Sequence, residues 1–248
     1  MNPFLFVTDL DNTFVGDDAA LARLQQVLSE HRQTYGTKIV YSTGRSPTLY
    51  KQLKAEKQLL DPDALVTSVG TEIYTDGKET PDEDWVAILS QGWDREAIVA
   101  ASAHFGDLVP QPDTEQRPFK VSYFLTEEAA IEVLPSFESA LQERNLSVKL
   151  IYSAGKDLDV LPDNGNKGLA MQFLAKRLGF SPDRTVACGD SGNDIALFSV
   201  GDERGIIVGN AKPELRQWYE ENASDALYLA RAVCAGGILE GLEHFKFV

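Results

Sequence analysis

The chain has little cysteine, little positive charge and no long apolar run. Its two cysteines, Cys188 and Cys234, lie far apart and outside any Cys-x-x-Cys pattern. That spacing argues for buried thiols in a reducing compartment, not for a disulfide frame or a thiolate metal site. Lys and Arg number 23 against 38 Asp and Glu, a formal charge of −15. Nucleic-acid binding rests on cations meeting phosphates, so this balance argues against a nucleic-acid partner. It leaves room for a small phosphorylated ligand, because a metal and a few local groups outweigh the global field. No stretch of about 18 apolar residues occurs, so no membrane span and no membrane partner are expected. No basic segment precedes an apolar one near residue 1, so no signal peptide is expected and the expected compartment is the cytoplasm. Gly/Ser linkers, internal repeats and low-complexity tracts are missing as well. What remains, 43% hydrophobic and 25% charged residues, is ordinary for one large or two modest globular domains.

Apolar and amphipathic segments alternate from the start. Phe4-Leu5-Phe6-Val7-Thr8 reads as a buried strand, and it runs into Asp9-Leu10-Asp11-Asn12-Thr13. Asp18 to His31 places Leu21, Leu24, Val27 and Leu28 on one helical face, and Gly36 stops the helix. Lys38 to Ser42 is a second strand, followed by Thr43-Gly44-Arg45 and by Ser46-Pro47, which has the form of an N-cap with proline at the first helical position. Ala64 to Val69 is a third strand, closing with Gly70-Thr71-Glu72 and a short hairpin around Thr75-Asp76-Gly77. This order is that of a parallel sheet covered by helices.

The middle of the chain differs. Pro81 to Phe105 is helical in two pieces, and a loop with Pro110, Pro112 and Pro118 follows. Lys120 to Leu125, Val148 to Ser153 and Asp157 to Leu161 are strand-like, with a helix from Glu127 to Arg144 between the first two. The short Ala154-Gly155-Lys156 turn predicts antiparallel pairing of the last two strands. The α/β rhythm then resumes with a helix from Lys167 to Leu178, a strand from Thr185 to Cys188, and further elements up to a helix from Gly236 to Phe245. The expected fold is α/β, a Rossmann-like parallel-sheet core with an inserted smaller α+β cap, divided as core 1–81, cap 82–160 and core 161–248.

Chemistry concentrates at the strand ends. Positions two apart on an extended chain point to one side, so Asp9 and Asp11 are expected to face one small volume. Like charges that close repel unless one is protonated or a cation lies between them. Carboxyl ends of parallel strands are also where ligands bind. An Asp/Asn turn before a helix is the alternative reading of this segment taken alone. Three further clusters fall at similar places: Thr43-Gly44-Arg45, Asn166-Lys167, and Gly189-Asp190-Ser191-Gly192-Asn193-Asp194.

In order and together, these four motifs resemble the signature of the haloacid dehalogenase superfamily of phosphotransferases. The resemblance implies Mg²⁺ chemistry with Asp9 as nucleophile, forming an aspartyl-phosphate, and Asp11 as the group that moves protons. It implies Mg²⁺ held by Asp9, the backbone carbonyl of Asp11 and Asp190, with Asp194 in the metal's outer shell or positioning Lys167. Thr43 and Gly44 would donate to the transferring phosphoryl group, and Lys167 would bring it positive charge. Ser191 and Asn193 would support the last loop or the ligand. Arg45 remains open between a phosphate ligand and a structural ion pair, and Thr13 reads as a helix cap more than a catalyst.

The likeness extends over nearly the whole chain to the sucrose-phosphate phosphatase family, through Val69-Gly70-Thr71-Glu72-Ile73-Tyr74, Pro118-Phe119-Lys120-Val121-Ser122-Tyr123 and Ser153-Ala154-Gly155-Lys156-Asp157-Leu158-Asp159. Thr71 stands where that pattern leads one to expect Ser. This resemblance implies a sugar phosphate as substrate, hydrolysed to sucrose and phosphate as the last step of sucrose synthesis, and gripped by Glu72, Lys120, Ser153, Lys156, Asp157 and Asp159 as the cap closes. The rivals are a phosphatase for a trehalose, mannosylglycerate or glucosylglycerol precursor, a phosphomutase, and a non-catalytic sugar-phosphate-binding module that docks on sucrose-phosphate synthase. That synthase is also a candidate partner of the enzyme, and a monomer is the expected state. His31, His104 and His244 read as structural, and Trp85, Trp93 and Trp218 as packing residues.

Overall fold

A computed structural model describes residues 2–248. The chain begins with β1 (Leu5–Thr8), α1 (Asp18–Tyr35), β2 (Lys38–Ser42), α2 (Pro47–Lys57), β3 (Ala64–Thr67) and β4 (Glu72–Thr75). Its middle runs α3 (Glu83–Leu89), α4 (Arg95–Ser102), β5 (Val109–Pro110), β6 (Val121–Phe124), α5 (Glu127–Gln142), β7 (Val148–Ser153) and β8 (Asp157–Pro162). It ends with α6 (Lys167–Leu178), β9 (Thr185–Gly189), α7 (Ile195–Ser199), β10 (Arg204–Ile207), α8 (Pro213–Asn222), β11 (Leu227–Leu229) and α9 (Cys234–His244).

The larger sheet has the order β11-β10-β9-β1-β2-β3-β4, parallel throughout except for β4. Strand β1 is central, and its unbroken apolar run follows from burial on both faces. Phe4 and Phe6 enter one core with Ile39, Tyr41, Val186 and residues of α1, α2 and α9. Leu5 and Val7 enter the other with Val40, Ala187, Ile207 and residues of α6, α7 and α8. This is the period-two alternation of a strand, and each such side chain fully buried contributes roughly 1.5–3 kcal/mol. The smaller sheet, β5-β6-β8-β7, is antiparallel, and α4 and α5 cover it through Ile98, Ala101, Val133 and Phe137.

Three local expectations give way. The hairpin expected around Thr75-Asp76-Gly77 lies one strand earlier, because β4 pairs antiparallel with β3 across residues 68–71. That reversal uses Ser68 (φ +55°) and Val69 (φ +61°), and a β-branched valine rarely adopts such backbone. Ser46 precedes Pro47 as expected, but its hydroxyl makes no capping bond and donates to Glu115 instead, 3.0 Å away. Trp85 and Leu89 of α3, in the range expected for the cap, pack into the larger sheet's core, and the Trp85 indole N–H donates to the Gly70 carbonyl at 3.0 Å. The short strands β5 and β11 had no counterpart in the sequence reading.

Candidate active site

Three of the four motifs sit where a strand stops. Asp9 follows β1, Thr43 follows β2 and Asp190 follows β9, so the three cluster at the carboxyl edge of adjacent strands. Lys167 opens α6, with Asn166 as its N-cap accepting from the Leu169 N–H at 2.9 Å. Gly168 lets α6 approach α7, since a Cβ there would stand 2.0 Å from the Ala196 carbonyl oxygen. This close approach carries the Lys167 ammonium inward.

Lys167 is fully buried, and its Nζ donates to Asp9 Oδ1 at 2.7 Å, Asp194 Oδ1 at 2.7 Å and Asn193 Oδ1 at 2.8 Å. All three hydrogens of the ammonium are thereby used. Asp194 Oδ2 accepts from the backbone N–H of Asp190 and Ser191 at 2.9 and 3.1 Å. Asp194 thus accepts three donors, and it fixes Lys167 and the turn after β9. Thr13, read from the sequence as a cap, is buried and donates to Asp190 Oδ1 at 3.2 Å.

Asp9, Asp190 and Asp194 are buried and offer carboxylate oxygens within 4.8 Å of one another. One ammonium does not balance three such charges. Burial pushes the Asp9 carboxyl well above its ordinary range, Lys167 opposes the shift, and the charges of Asp194 and Asp190 add to it. Burial, followed by the Asp194 charge, raises Asp190 to about 7. Burial would lower Lys167, yet Asp194 and Asp9 hold it above lysine's usual value. Among the described residues no protein donor reaches Asp9 Oδ2 or Asp190 Oδ2. Buried carboxylates with hard oxygens in excess negative charge suit a small divalent cation such as Mg²⁺.

Asp11 lines the same cleft as Asp9 but is held differently. Strand β1 stops at Thr8, so the period-two rule does not extend to residue 11. The Asp11 carboxylate stands outside the buried trio, its side chain 42% exposed, and takes Arg45 Nε at 2.7 Å and Nη2 at 2.8 Å. Arg45 therefore resolves as an ion pair in this state. Thr43 is fully buried, and its Oγ1 accepts from the Arg45 N–H at 3.2 Å.

A cleft of 340 Å³ opens above these groups. Asp9, Asp11, Gly44, Arg45, Asp190, Ser191 and Asn193 form its floor, and the smaller sheet faces them with Lys120, Ser153, Asp157 and Asp159. Lys120 Nζ lies 3.3 Å from Asp159 Oδ1, which also accepts from Ser122 Oγ at 2.5 Å.

Comparison with known proteins fits this geometry. The model of the sucrose-6F-phosphate phosphohydrolase family matches residues 2–246. The chain belongs to that family. A sucrose-phosphatase of Synechocystis sp. PCC6803, solved with sucrose and phosphate, superposes with a TM-score of 0.93 at 41% identity, covering 99% of each chain. A probable sucrose-phosphatase of Arabidopsis thaliana is 44% identical over 98% of this chain. The chain spans 59% of that plant relative's length. A mannosylfructose-phosphate phosphatase of Agrobacterium fabrum is 31% identical, covering 97% of this chain and 96% of its own.

Within this family member, two expected sugar contacts stand apart from the cleft. Glu72 is buried beneath it and is filled by protein donors: Arg117 through Nε and Nη2 at 2.9 and 2.7 Å, and hydroxyls of Thr67, Ser68 and Tyr74 at 3.0–3.2 Å. Lys156, 66% exposed, rides the β7–β8 turn 4.0 Å from Asp157 Oδ2. Conversely, Gln111, Glu115 and Lys212 line the cleft without having been expected there. Gln111 donates to Asp157 Oδ1 at 3.0 Å, and the Lys212 N–H donates to the Asp190 carbonyl at 2.7 Å. Gln111 and Glu115 sit in a proline-bearing loop with no motif, so no local signal marked them. Lys212, just before Pro213 at a helix start, could have been noticed on the Lys167 precedent.

Proposed function

We propose that the chain is a Mg²⁺-dependent phosphatase that releases phosphate from a phosphorylated disaccharide, sucrose 6-phosphate first, through an aspartyl-phosphate on Asp9. The observation that carries this reading is the Asp9–Lys167–Asp194 chain beside Asp190, on a cleft floor faced by polar groups of the smaller sheet. With one Asp9 oxygen held by Lys167, Oδ2 is the free nucleophile. It attacks phosphorus as the bond to the sugar oxygen breaks. Asp11 protonates that oxygen, then takes a proton from the water that hydrolyses the intermediate and frees Asp9. For this, Arg45 must yield at least one Asp11 oxygen. Thr43 Oγ1 and the Gly44 N–H would donate to the phosphoryl oxygens, and Lys167 would offset their charge. Asp9, Asp190 and the Asp11 carbonyl would hold Mg²⁺, which when bound screens the anionic ester from the attacking carboxylate.

The smaller sheet with α4 and α5 would act as a cap. A disaccharide presents many hydroxyls, and Lys120, Asp159, Ser153, Asp157 and Gln111 offer charged and neutral partners for them. Likeness to a mannosylfructose-phosphate phosphatase along nearly its whole length favours one second reading, a different phosphorylated disaccharide. Among the described residues no helix is long and apolar enough to cross a membrane. A cytoplasmic monomer, with sucrose-phosphate synthase as a docking partner, completes the proposal. The deciding experiment measures phosphate release from sucrose 6-phosphate, mannosylfructose phosphate and trehalose 6-phosphate, by wild type and Asp9→Asn, with and without Mg²⁺. Equal or faster turnover of another ester would displace sucrose phosphate, and wild-type turnover by Asp9→Asn would remove the nucleophile assignment.

A further inference from the structure

The turn from Ser68 to Glu72 touches the phosphate loop, the base of Lys167 and the cap at once. Toward the core, the Ser68 N–H donates to the Arg45 carbonyl at 2.9 Å and the Val69 N–H to the Thr43 carbonyl at 3.1 Å. Gly70, at φ +99°, lies so close to the start of α6 that a Cβ would stand 2.2 Å from the Asn166 carbonyl carbon and 2.4 Å from the Lys167 nitrogen. Toward the cap, buried Val69 packs with Ile151 of β7 and Leu161 of β8. Glu72, its side chain 4% exposed, takes both Arg117 donors. Arg117 and Lys120 exchange backbone hydrogen bonds at 3.0 and 3.2 Å, so Arg117 anchors the turn that presents Lys120 to the cleft.

Two features say that this turn is held and not merely present. Ser68 and Val69 both adopt left-handed backbone, which is costly for a β-branched residue and persists only where surroundings over-determine it. Glu72 is also saturated by five donors, which leaves a sugar hydroxyl no acceptor site there.

We propose that Glu72, with Arg117 and Val69, is a positioning residue that couples the seat of the cap to the Thr43-Gly44-Arg45 loop and to Lys167, and is not a sugar ligand. This rests on the phosphatase reading above. The cap then docks on the same strained turn that sets the phosphate-binding groups, so cap position and phosphate-loop geometry change together.

The test combines kinetics with hydrogen–deuterium exchange on the full chain. Glu72→Gln and Arg117→Gln should each lower kcat/KM for the preferred sugar phosphate by about tenfold, and the double variant should fall no more than about twofold below the weaker single, as expected for two ends of one contact. Exchange should quicken in both singles in the 148–162 hairpin and also at residues 43–45. Losses that multiply in the double variant would overturn the proposal. So would a kinetic loss with unchanged exchange, which would return Glu72 to sugar binding. Faster exchange confined to residues 66–75 would leave only a local structural role and would equally overturn it. If either polar variant fails to fold, Val69→Ala supplies the same exchange readout. Coupled exchange in a protein that hydrolyses no sugar phosphate would sink the functional reading and leave the coupling standing.

Discussion

Floor and roof of the cleft satisfy their charges in different ways. On the floor, Lys167 gives all three donors to fixed acceptors, and Asp194 is filled by Lys167 and two backbone N–H groups. On the roof, among the described residues, Lys120 has a single acceptor 3.3 Å away, and Asp157 is met only by Gln111 and the distant Lys156. Groups fixed in this way before charge develops are preorganised, which is what phosphoryl transfer rewards. A roof with spare donors and acceptors can exchange them for sugar hydroxyls. On the proposed reading, chemistry and selectivity fall to separate layers of the molecule, joined through the 68–72 turn.

Breaking the floor should have the largest effect. Asp9→Asn should lower phosphate release by at least about a thousandfold, for sugar and aryl phosphates alike. Lys167→Met should be similarly inactive. It should also lose about 3–5 kcal/mol in urea melts, because Asp9 and Asp194 would remain buried without a counter-charge. Chelation should abolish turnover, and added Mg²⁺ should restore it. The protonation of Asp190 sharpens this. In the metal-free protein its carboxyl is raised from 3.8 to about 7. Its neutral form is thus favoured by folding, and the associated stability, full below about pH 4, is lost as pH rises through 7. Mg²⁺ requires the carboxylate, so it should raise Tm more at pH 8 than at pH 5, and an equal rise at both would contradict the assignment.

On the roof the effects should be smaller and selective. Lys120→Gln should cost sugar-phosphate kcat/KM about tenfold to a hundredfold, in keeping with charged hydrogen bonds of about 1.5–3 kcal/mol. Turnover of a small aryl phosphate should change much less. If both substrates suffer equally, the division between floor and roof fails. Smallest of all, Glu115→Ala removes the part-buried bond from Ser46 and should change turnover by less than about fivefold, a charged bond open to solvent being worth about 1 kcal/mol or less.

Much of the floor was legible because its groups cluster in short segments at predictable places. Asp9 follows an unmistakable buried strand, and Lys167 opens a helix whose bounds, Lys167–Leu178, the sequence pattern anticipated. Less of the roof was legible. Lys120, Ser153, Asp157 and Asp159 reach the cleft as expected, while Lys156 leans outward and Glu72 lies beneath. An exposed polar residue on a strand reads the same whether or not it faces a ligand.

By itself the sequence determined the alternation of strands and helices, the burial of β1 and the gathering of acidic residues at strand ends. Those features are carried by neighbours along the chain, through hydrophobic periodicity, caps and turn chemistry. Only the tertiary structure decided that Asp11 pairs with Arg45, that Thr13 serves Asp190, and that Glu72 answers to Arg117. These partners stand 34, 177 and 45 residues apart. No local pattern encodes such a pairing, because it is set by which elements pack together and not by what either segment prefers alone.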